Sequence, residues 1–276
     1  MKNALNSLKR DYDTREALEA DPLRVVLEYE DPWDRELSAF VAAHLAYGRV
    51  APMLRAIRRA LVPLGRRPAE RLRAWGEDEA EGLLREGLED WKWRFHTRED
   101  LIAWVLAWKR LDRESGLRGL ECHLLPRKGT PADQALSDLV QRLRSELPAT
   151  HGIRFCLPDP LEGSACKRWR LFLRWMVRRG WPDLGQWGSY PASALVVPLD
   201  THVARISRLL GFTRRTASDG RTAMEITEAL RRVDPEDPLA YDFAISHLGI
   251  LGDCGGTADP VRCAGCALAR VCSGRS

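Results

Sequence analysis

The chain has 276 residues, with 43 Lys and Arg against 39 Asp and Glu, a formal net charge of +4 and an apolar content of 45%. This composition is that of a globular protein and excludes disordered, collagen-like and mucin-like chains. Apolar runs fall short of the ~18 residues that a membrane-spanning helix needs. The first residues also lack the apolar core of a signal peptide. We therefore expect a cytoplasmic protein with no membrane partner.

Helical periodicity dominates the chain, and alternating strand patterns are scarce. Asp31 and Pro32 have the residue types of an N-cap and first helical position. Residues 97–100 have the sequence of a capping box, and Gly211 is suited to end a helix. Apolar residues recur at helical spacing within 37–45, 53–61, 101–108, 136–147, 169–177, 203–210, 224–230 and 243–250. The pattern predicts an all-α protein.

Four of the seven cysteines lie in the last 23 residues, as Cys254, Cys263, Cys266 and Cys272. An odd number of cysteines in a cytosolic chain argues against a disulfide framework. Four thiolates within one short loop can surround a single metal centre, and both Zn²⁺ and a [4Fe–4S] cluster accept such ligands. Zinc ribbons usually pair two Cys-x₂-Cys knuckles, whereas this loop has one.

The cysteine loop resembles the cluster loop of endonuclease III-type DNA glycosylases, which belong to the helix–hairpin–helix superfamily. In both, a helix delivers the first cysteine and a loop containing Pro and Arg leads to Cys-x₂-Cys-x₅-Cys, here with a longer first spacer. A second stretch, Pro-Leu-Asp-Thr-His-Val-Ala-Arg at 198–205, is similar to the Val-Asp-Thr-His-Val-x-Arg motif of that superfamily. The resemblance implies that Asp200 is the catalytic carboxylate and that the loop 254–272 holds a [4Fe–4S] cluster, with Zn²⁺ as the alternative.

A third stretch, Gly-Ser-Ala-Cys-Lys at 163–167, resembles the Gly-x-Gly-x-Lys hairpin of bifunctional members, although Ala165 replaces the second glycine. The interval from Lys167 to Asp200 is similar to that in archaeal 8-oxoguanine glycosylases. The chain also resembles a bacterial branch with the Gly-Ser-Ala-Cys-Lys-Arg and Pro-Leu-Asp-Thr-His motifs. The resemblance implies that Lys167 is the nucleophile and forms a Schiff base, which requires a neutral amine.

The resemblance also implies the architecture and the partner. It predicts a two-lobed helix–hairpin–helix fold, with one lobe at 37–195 and the other at 1–36 plus 196–276. It predicts a monomeric base-excision repair enzyme, a DNA glycosylase with abasic-site lyase activity, that acts on double-stranded DNA with a damaged base. The alternative is an iron–sulfur protein that binds DNA or structured RNA without cutting it. A zinc-stapled helical protein is a third hypothesis.

Further site residues follow from the helical pattern around Lys167 and from the aromatic residues. Ser164 is a candidate N-cap, which would place Lys167 at the third helical position. The polar face of that helix lies opposite its aromatic stripe and is predicted to face DNA. The predicted DNA contacts are Gly163, Ser164, Arg168, Arg170, Arg174 and Arg178. Candidate walls of a pocket for a flipped base are Tyr47, Trp91 and Trp93.

Charge is distributed unevenly along the chain. Residues 154–215 hold 11 Lys and Arg and four Asp and Glu, a net charge of +7. Residues 69–90 hold eight Asp and Glu and three Arg, and should therefore lie away from a phosphate backbone. A basic segment that coincides with the motifs favours a nucleic-acid partner.

Overall fold

The structure is a computed structural model that describes residues 1–131 and 133–275, except for the side chain of residue 275. Within this part of the chain the regular structure is helical, apart from an isolated antiparallel bridge between Trp93 and His96. The prediction of an all-α protein is confirmed. Among the same residues, no helix combines the length and the apolar character needed to cross a membrane.

Among the described residues, eleven α-helices lie in the first 156 positions. They are α1 (Lys2–Tyr12), α2 (Arg15–Leu18), α3 (Leu23–Val26), α4 (Pro32–Leu45), α5 (Val50–Leu61), α6 (Pro68–Ala74), α7 (Glu77–Gly87), α8 (Arg98–Glu114), α9 (Glu121–Leu124), α10 (Gln134–Glu146) and α11 (His151–Cys156).

In the part of the chain that the structure describes, five α-helices follow, and three short 3-10 helices are also present. The α-helices are α12 (Lys167–Val177), α13 (Thr201–Leu209), α14 (Gly220–Arg231), α15 (Asp242–Ile250) and α16 (Pro260–Ala264). The 3-10 helices are Val62–Leu64, Ala192–Ala194 and Ser273–Arg275.

Local signals set several helix ends as predicted. The Asp31 carboxylate accepts the backbone N–H of Trp33 at 2.9 Å and so caps α4. At the start of α8, the Thr97 hydroxyl accepts the N–H of Asp100, and the Asp100 carboxylate accepts the N–H of Thr97. Gly211 follows α13 with a φ of +70°, a left-handed conformation that glycine adopts at little cost.

The chain divides into two compact units. The first comprises Met1–Ala20 with Gly163–Ser276, and the second comprises Asp21–Glu162. These junctions differ from the predicted ones at 36/37 and 195/196. Buried ion pairs explain part of the difference, because Arg174 of α12 bonds Asp242 at the start of α15. This contact joins α12 to the C-terminal helices.

Each unit has its own apolar core. In the first unit, α1 packs on α15, with Leu5 and Leu8 at most 1% exposed, and α13 and α14 complete the core. In the second unit, α4 packs against α3, α5, α6 and α8. There the rings of Phe40 and Trp104 stack with their centroids 4.6 Å apart. Burial of such side chains is the main stabilising contribution in both units.

Candidate functional site

Lys167 and Asp200 lie within ion-pair distance of each other in the first unit. Lys167 is the first residue of α12, and Asp200 immediately precedes α13. The Lys167 Nζ atom is 3.6 Å from the Asp200 Oδ2 atom. The two side chains are 33% and 15% exposed, so both are partly open to solvent. The fold thus brings together the two residues that the sequence predicts as a catalytic pair.

The helix start at α13 fixes the Asp200 carboxylate. Its Oδ1 atom accepts the backbone N–H of Val203 at 2.8 Å, which confirms the predicted N-cap. With Oδ1 held by the helix, Oδ2 is the atom directed at Lys167. The same carboxylate therefore caps α13 and faces the amine.

Lys167 follows a residue with unusual backbone geometry. Cys166 has φ 47° and ψ 38°, which lie in the left-handed region that residues other than glycine rarely adopt. This conformation starts α12 at Lys167, because the Cys166 carbonyl accepts the first helical bond, from Arg170. The prediction that Ser164 is the N-cap is wrong. The Ser164 hydroxyl instead accepts the N–H of Cys166 at 3.2 Å, within the hairpin.

The polar face of α12 beyond Lys167 is buried, and we call its three residues, Arg170, Arg174 and Arg178, the arginine face. Their exposed fractions are 3%, 2% and 2%. The prediction that this face points outward to DNA is therefore wrong, because side chains so deeply buried do not meet a phosphate backbone. The opposite, aromatic side of α12 is buried as predicted.

Acidic residues from later in the chain surround the arginine face. Arg174 bonds Asp183 at 3.1 Å and Asp242 at 2.6 Å. Arg178 bonds Asp183 and also Asp237, the latter at 2.9 Å. Arginine favours such buried pairs because its planar guanidinium offers several N–H groups to carboxylates. The arginine face is thus part of the internal framework of the first unit.

Asp242 is a deeply buried carboxylate of this network. It is 1% exposed, its Oδ2 atom accepts from Arg174, and its Oδ1 atom has no hydrogen-bond partner within the described parts of the chain. Burial raises the pKa of Asp242 to about 6, and the Arg174 charge only partly opposes this effect. The negative charge of Asp200 also acts to raise the pKa of Asp242.

The hairpin before Lys167 packs against the start of α14. The Gly163 carbonyl accepts the N–H of Gly220 at 2.8 Å. Gly163 itself is exposed with a φ of +87°, and Ser164 is half-buried. The next residue along α14 is Arg221, which is exposed. No sequence motif marks Arg221, because it is placed beside the hairpin by a backbone contact between residues 57 positions apart.

Arg168 differs in exposure from the arginine face. Its side chain is half-buried, unlike the arginine face. Gly163, Ser164 and Arg168 therefore remain the predicted DNA contacts with access to solvent, and Arg221 joins them.

The four C-terminal cysteines line one cavity of the first unit. The space between its surrounding atoms is about 550 Å³, part of it continuous with solvent, and apolar residues of α13 and α15 close one side. Burial raises the pKa of the Cys266 thiol, and the nearby Cys254, Cys263 and Cys272 raise it further. A cysteine that binds a metal must be deprotonated, and the positive charge of a bound cation relieves the repulsion between neighbouring thiolates.

A side chain of α13 anchors the cysteine loop. Arg205 donates from Nη2 to the Cys254 carbonyl at 2.7 Å. A Cβ atom at Gly256, where φ is +91°, would lie 2.7 Å from the Arg205 Cδ atom, so only glycine fits there without displacement. Asp200 is the N-cap of α13, and Arg205 lies in the second turn of the same helix. The predicted catalytic carboxylate and the cysteine loop are thus held by the same element.

The donor set suits a [4Fe–4S] cluster in type and number, with four thiols lining one partly open cavity. Among the described residues, no three His, Cys, Asp or Glu side chains are grouped to hold a metal ion. A four-iron cluster has a different requirement, because each thiolate binds a different iron atom.

The predicted base-pocket residues lie in the second unit and have unequal access to solvent. Trp91 and Trp93 are 3% and 9% exposed, and their indole N–H groups donate to the carbonyls of Ala56 and Leu45. The prediction that these two rings contact a base is wrong, because both are core residues. Tyr47 is half-buried and remains accessible.

Comparisons with known proteins give one finding. A family model described as "Protein of unknown function (DUF2400)" matches residues 21–251, which is most of the chain. The match includes Lys167 and Asp200 and ends before Cys254. Comparison with curated proteins gives no match, and comparison with solved structures gives none either.

Proposed function

The chain belongs to the DUF2400 family, and we propose that it is a DNA glycosylase with abasic-site lyase activity. One observation carries the proposal: the Lys167 Nζ atom lies 3.6 Å from the Asp200 Oδ2 atom at a half-exposed site. A base-excision lyase needs an amine nucleophile beside a carboxylate. Both residues are predicted from sequence motifs. This prediction does not use the helical periodicity, which wrongly places the arginine face on the surface.

Each residue has a distinct task in the reaction. The neutral amine of Lys167 attacks C1′ of the damaged nucleotide, and the N–C1′ bond breaks with its electron pair leaving on the base, which takes up a proton. Asp200 stabilises the positive charge that builds on the sugar and accepts the proton that the amine loses. The sugar ring then opens to a Schiff base on Lys167. Loss of a C2′ proton expels the 3′ phosphate and breaks the strand.

The segment directly before α12 supports the hairpin that the resemblance predicts. Residues 163–166 lead into α12, and Gly163 has a φ of +87°. Gly163 and Ser164 are the hairpin residues with access to solvent. Backbone N–H groups of such a turn and of a helix start suit a phosphate oxygen. In this proposal the hairpin holds the strand of double-stranded DNA that carries the damaged base.

Cys254, Cys263, Cys266 and Cys272 would hold a [4Fe–4S] cluster in their common cavity. When bound, the cluster supplies covalent cross-links within the C-terminal loop. Arg205 ties that loop to α13, so the cross-links also stabilise the helix that Asp200 caps.

Borohydride trapping tests the enzyme activity. Wild-type protein with double-stranded DNA containing an abasic site, or one of a panel of damaged bases, should give a covalent adduct after reduction. Lys167→Ala should abolish the adduct, and Asp200→Asn should slow its formation about 100-fold or more. Lys128→Ala is the matched control, because Lys128 is an exposed lysine in a loop of the second unit.

The outcomes separate the hypotheses. An adduct with wild type and Lys128→Ala but not with Lys167→Ala supports the lyase. If wild type binds DNA, gives no adduct and releases no base from any substrate, the non-catalytic alternative holds. If Lys167→Ala is trapped as efficiently as wild type, the assignment of the nucleophile is overturned.

Iron and sulfide analysis tests the cofactor. Protein purified without oxygen should contain iron and acid-labile sulfide and absorb visible light. Cys263→Ser should lose the iron and lower the Tm by about 5 °C or more, since a bound centre contributes to folding. Cys122→Ser is the control, because Cys122 is an exposed cysteine of the second unit. Colourless protein that contains zinc would favour the zinc alternative.

A further inference from the structure

The second unit carries a half-exposed group of four rings, which we call the aromatic cluster. Its members are Tyr47, Phe95, His151 and Phe155. Tyr47 and Phe95 stack with their centroids 5.3 Å apart and their planes 15° apart. Phe155 meets both rings edge-on, at 5.0 and 4.7 Å, and His151 meets Phe95 edge-on at 4.6 Å. Three segments that are distant in sequence thus present one continuous aromatic surface.

Hydrogen bonds hold the aromatic cluster in place. The Tyr47 hydroxyl donates to the Trp93 carbonyl at 3.1 Å and lies 2.6 Å from His96 Nδ1. Two backbone hydrogen bonds between Trp93 and His96 close a tight turn with Arg94 and Phe95 at its tip. Arg94 has a φ of +54° there, a conformation that the turn imposes. A surface ordered before binding loses less entropy when a ligand stacks on it.

The exposed charges within the three segments of the aromatic cluster are positive, whereas the buried Asp100 carboxylate lies beside Gly152 and accepts from the Thr150 hydroxyl. The three contributing segments, 46–50, 91–96 and 151–155, contain no Asp or Glu. They contain four exposed cations, Arg49, Lys92, Arg94 and Arg154. The guanidinium carbon of Arg94 lies 5.9 Å from the centroid of the Tyr47 ring. A core-forming cluster would require neither the exposed ring area nor this excess of cations.

We propose that the aromatic cluster binds an unpaired base of single-stranded DNA, with the adjoining phosphates next to the four cations. Rings on a basic surface are the two components with which proteins bind unpaired strands, because every base has a face that stacks. The proposal rests on nucleic acid being the partner in the proposed function. It adds a binding site within the second unit that is distinct from Lys167 and Asp200.

Fluorescence anisotropy with a labelled single-stranded DNA oligonucleotide tests the proposal. Phe95→Ala should raise the Kd about tenfold, in line with the loss of one stacked base. Phe95→Trp should keep the Kd within about twofold, because the indole restores a stacking surface. Arg113→Ala is the matched control: this exposed arginine of the second unit lies in the last turn of α8, whereas Phe95 precedes the first turn.

A second variant covers the case in which Phe95→Ala does not fold. His151 is exposed and is the first residue of α11, so His151→Ala removes a ring from the edge of the aromatic cluster with little loss of packing. It should also raise the Kd for single-stranded DNA, by about threefold to tenfold. A fully paired duplex of the same sequence should respond less to both substitutions.

Two results would overturn the proposal. One is a Phe95→Ala or His151→Ala protein that is folded and binds single-stranded DNA as Arg113→Ala does. The other is wild-type protein without measurable affinity for the single strand. Neither result depends on trapping by Lys167, so a failed lyase assay combined with ring-dependent binding would reject the proposed enzyme activity alone.

Discussion

Two arginine-bearing regions look alike in the sequence and have opposite environments in the fold. The arginine face of α12 is at most 3% exposed and lies against Asp183, Asp237 and Asp242. The cations around the aromatic cluster are exposed, and their segments contain no carboxylate. The first region is neutralised inside the first unit, whereas the second is open to a charged partner.

The difference shows why a local count of charge is a poor guide to a binding surface. The +7 of residues 154–215 includes the whole arginine face but omits Asp237 and Asp242, which fold onto it from later in the chain. A phosphate backbone responds to exposed charge. Once the paired arginines are set aside, the candidate DNA contacts of the first unit are the hairpin, Arg168 and Arg221.

The largest expected effect compares two neighbouring arginines. Arg178→Met should reduce the free energy of unfolding by about 3–5 kcal/mol, because it removes one of the two arginines that bond the buried Asp183 and the arginine that bonds the partly buried Asp237. Arg179→Met removes a guanidinium group one position later, where the side chain is exposed. The free energy of unfolding should then change by less than about 0.5 kcal/mol. Urea unfolding of both variants measures the difference. Equal effects would contradict the buried role of the arginine face.

Local interactions account for what the sequence predicts well. The caps at Asp31, Thr97 and Asp200 involve partners two or three residues away, so the residue type and its position suffice. The buried stripe of α12 likewise follows from spacing alone. The all-α class is the sum of such local signals.

What the sequence does not predict depends on partners from distant segments. The polar face of α12 has the spacing of a solvated surface, and only its contact with Asp242, 68 positions after Arg174, makes it internal. Cys166 adopts a left-handed backbone without the glycine that usually marks one. Trp91 and Trp93 have the residue type of a base-stacking site, yet their N–H groups bond carbonyls inside the second unit.

The second prediction concerns how the free energy of unfolding depends on pH through the buried Asp242. The pKa of Asp242 is raised to about 6, so between pH ~4 and ~6 the folded protein holds a proton that the unfolded chain releases. The stabilisation that comes from holding this proton is fully present below about pH 4 and is lost as the pH rises through about 6. The shift from 3.8 corresponds to about 3 kcal/mol.

Urea unfolding of wild type and Asp242→Asn over this pH range isolates the effect. The variant removes the titrating group while keeping a side chain of similar shape that can accept from Arg174. The difference in unfolding free energy between the two proteins should therefore change with pH. A constant difference would mean that Asp242 does not titrate there, and that the arginine face holds an ordinary charged pair.

The smallest effect on stability, and the sharpest contrast, is expected for Arg94→Gln in the turn of the aromatic cluster. Arg94 is exposed and forms no ion pair among the described residues, so the free energy of unfolding should change by less than about 0.5 kcal/mol. The slope of log Kd against log salt for single-stranded DNA should fall by about 0.7, because one fewer phosphate is neutralised. Arg113→Gln should leave the slope unchanged. If Arg94→Gln changes stability and not the salt slope, Arg94 supports the turn, as the arginine face supports α12, and the contrast between the two regions disappears.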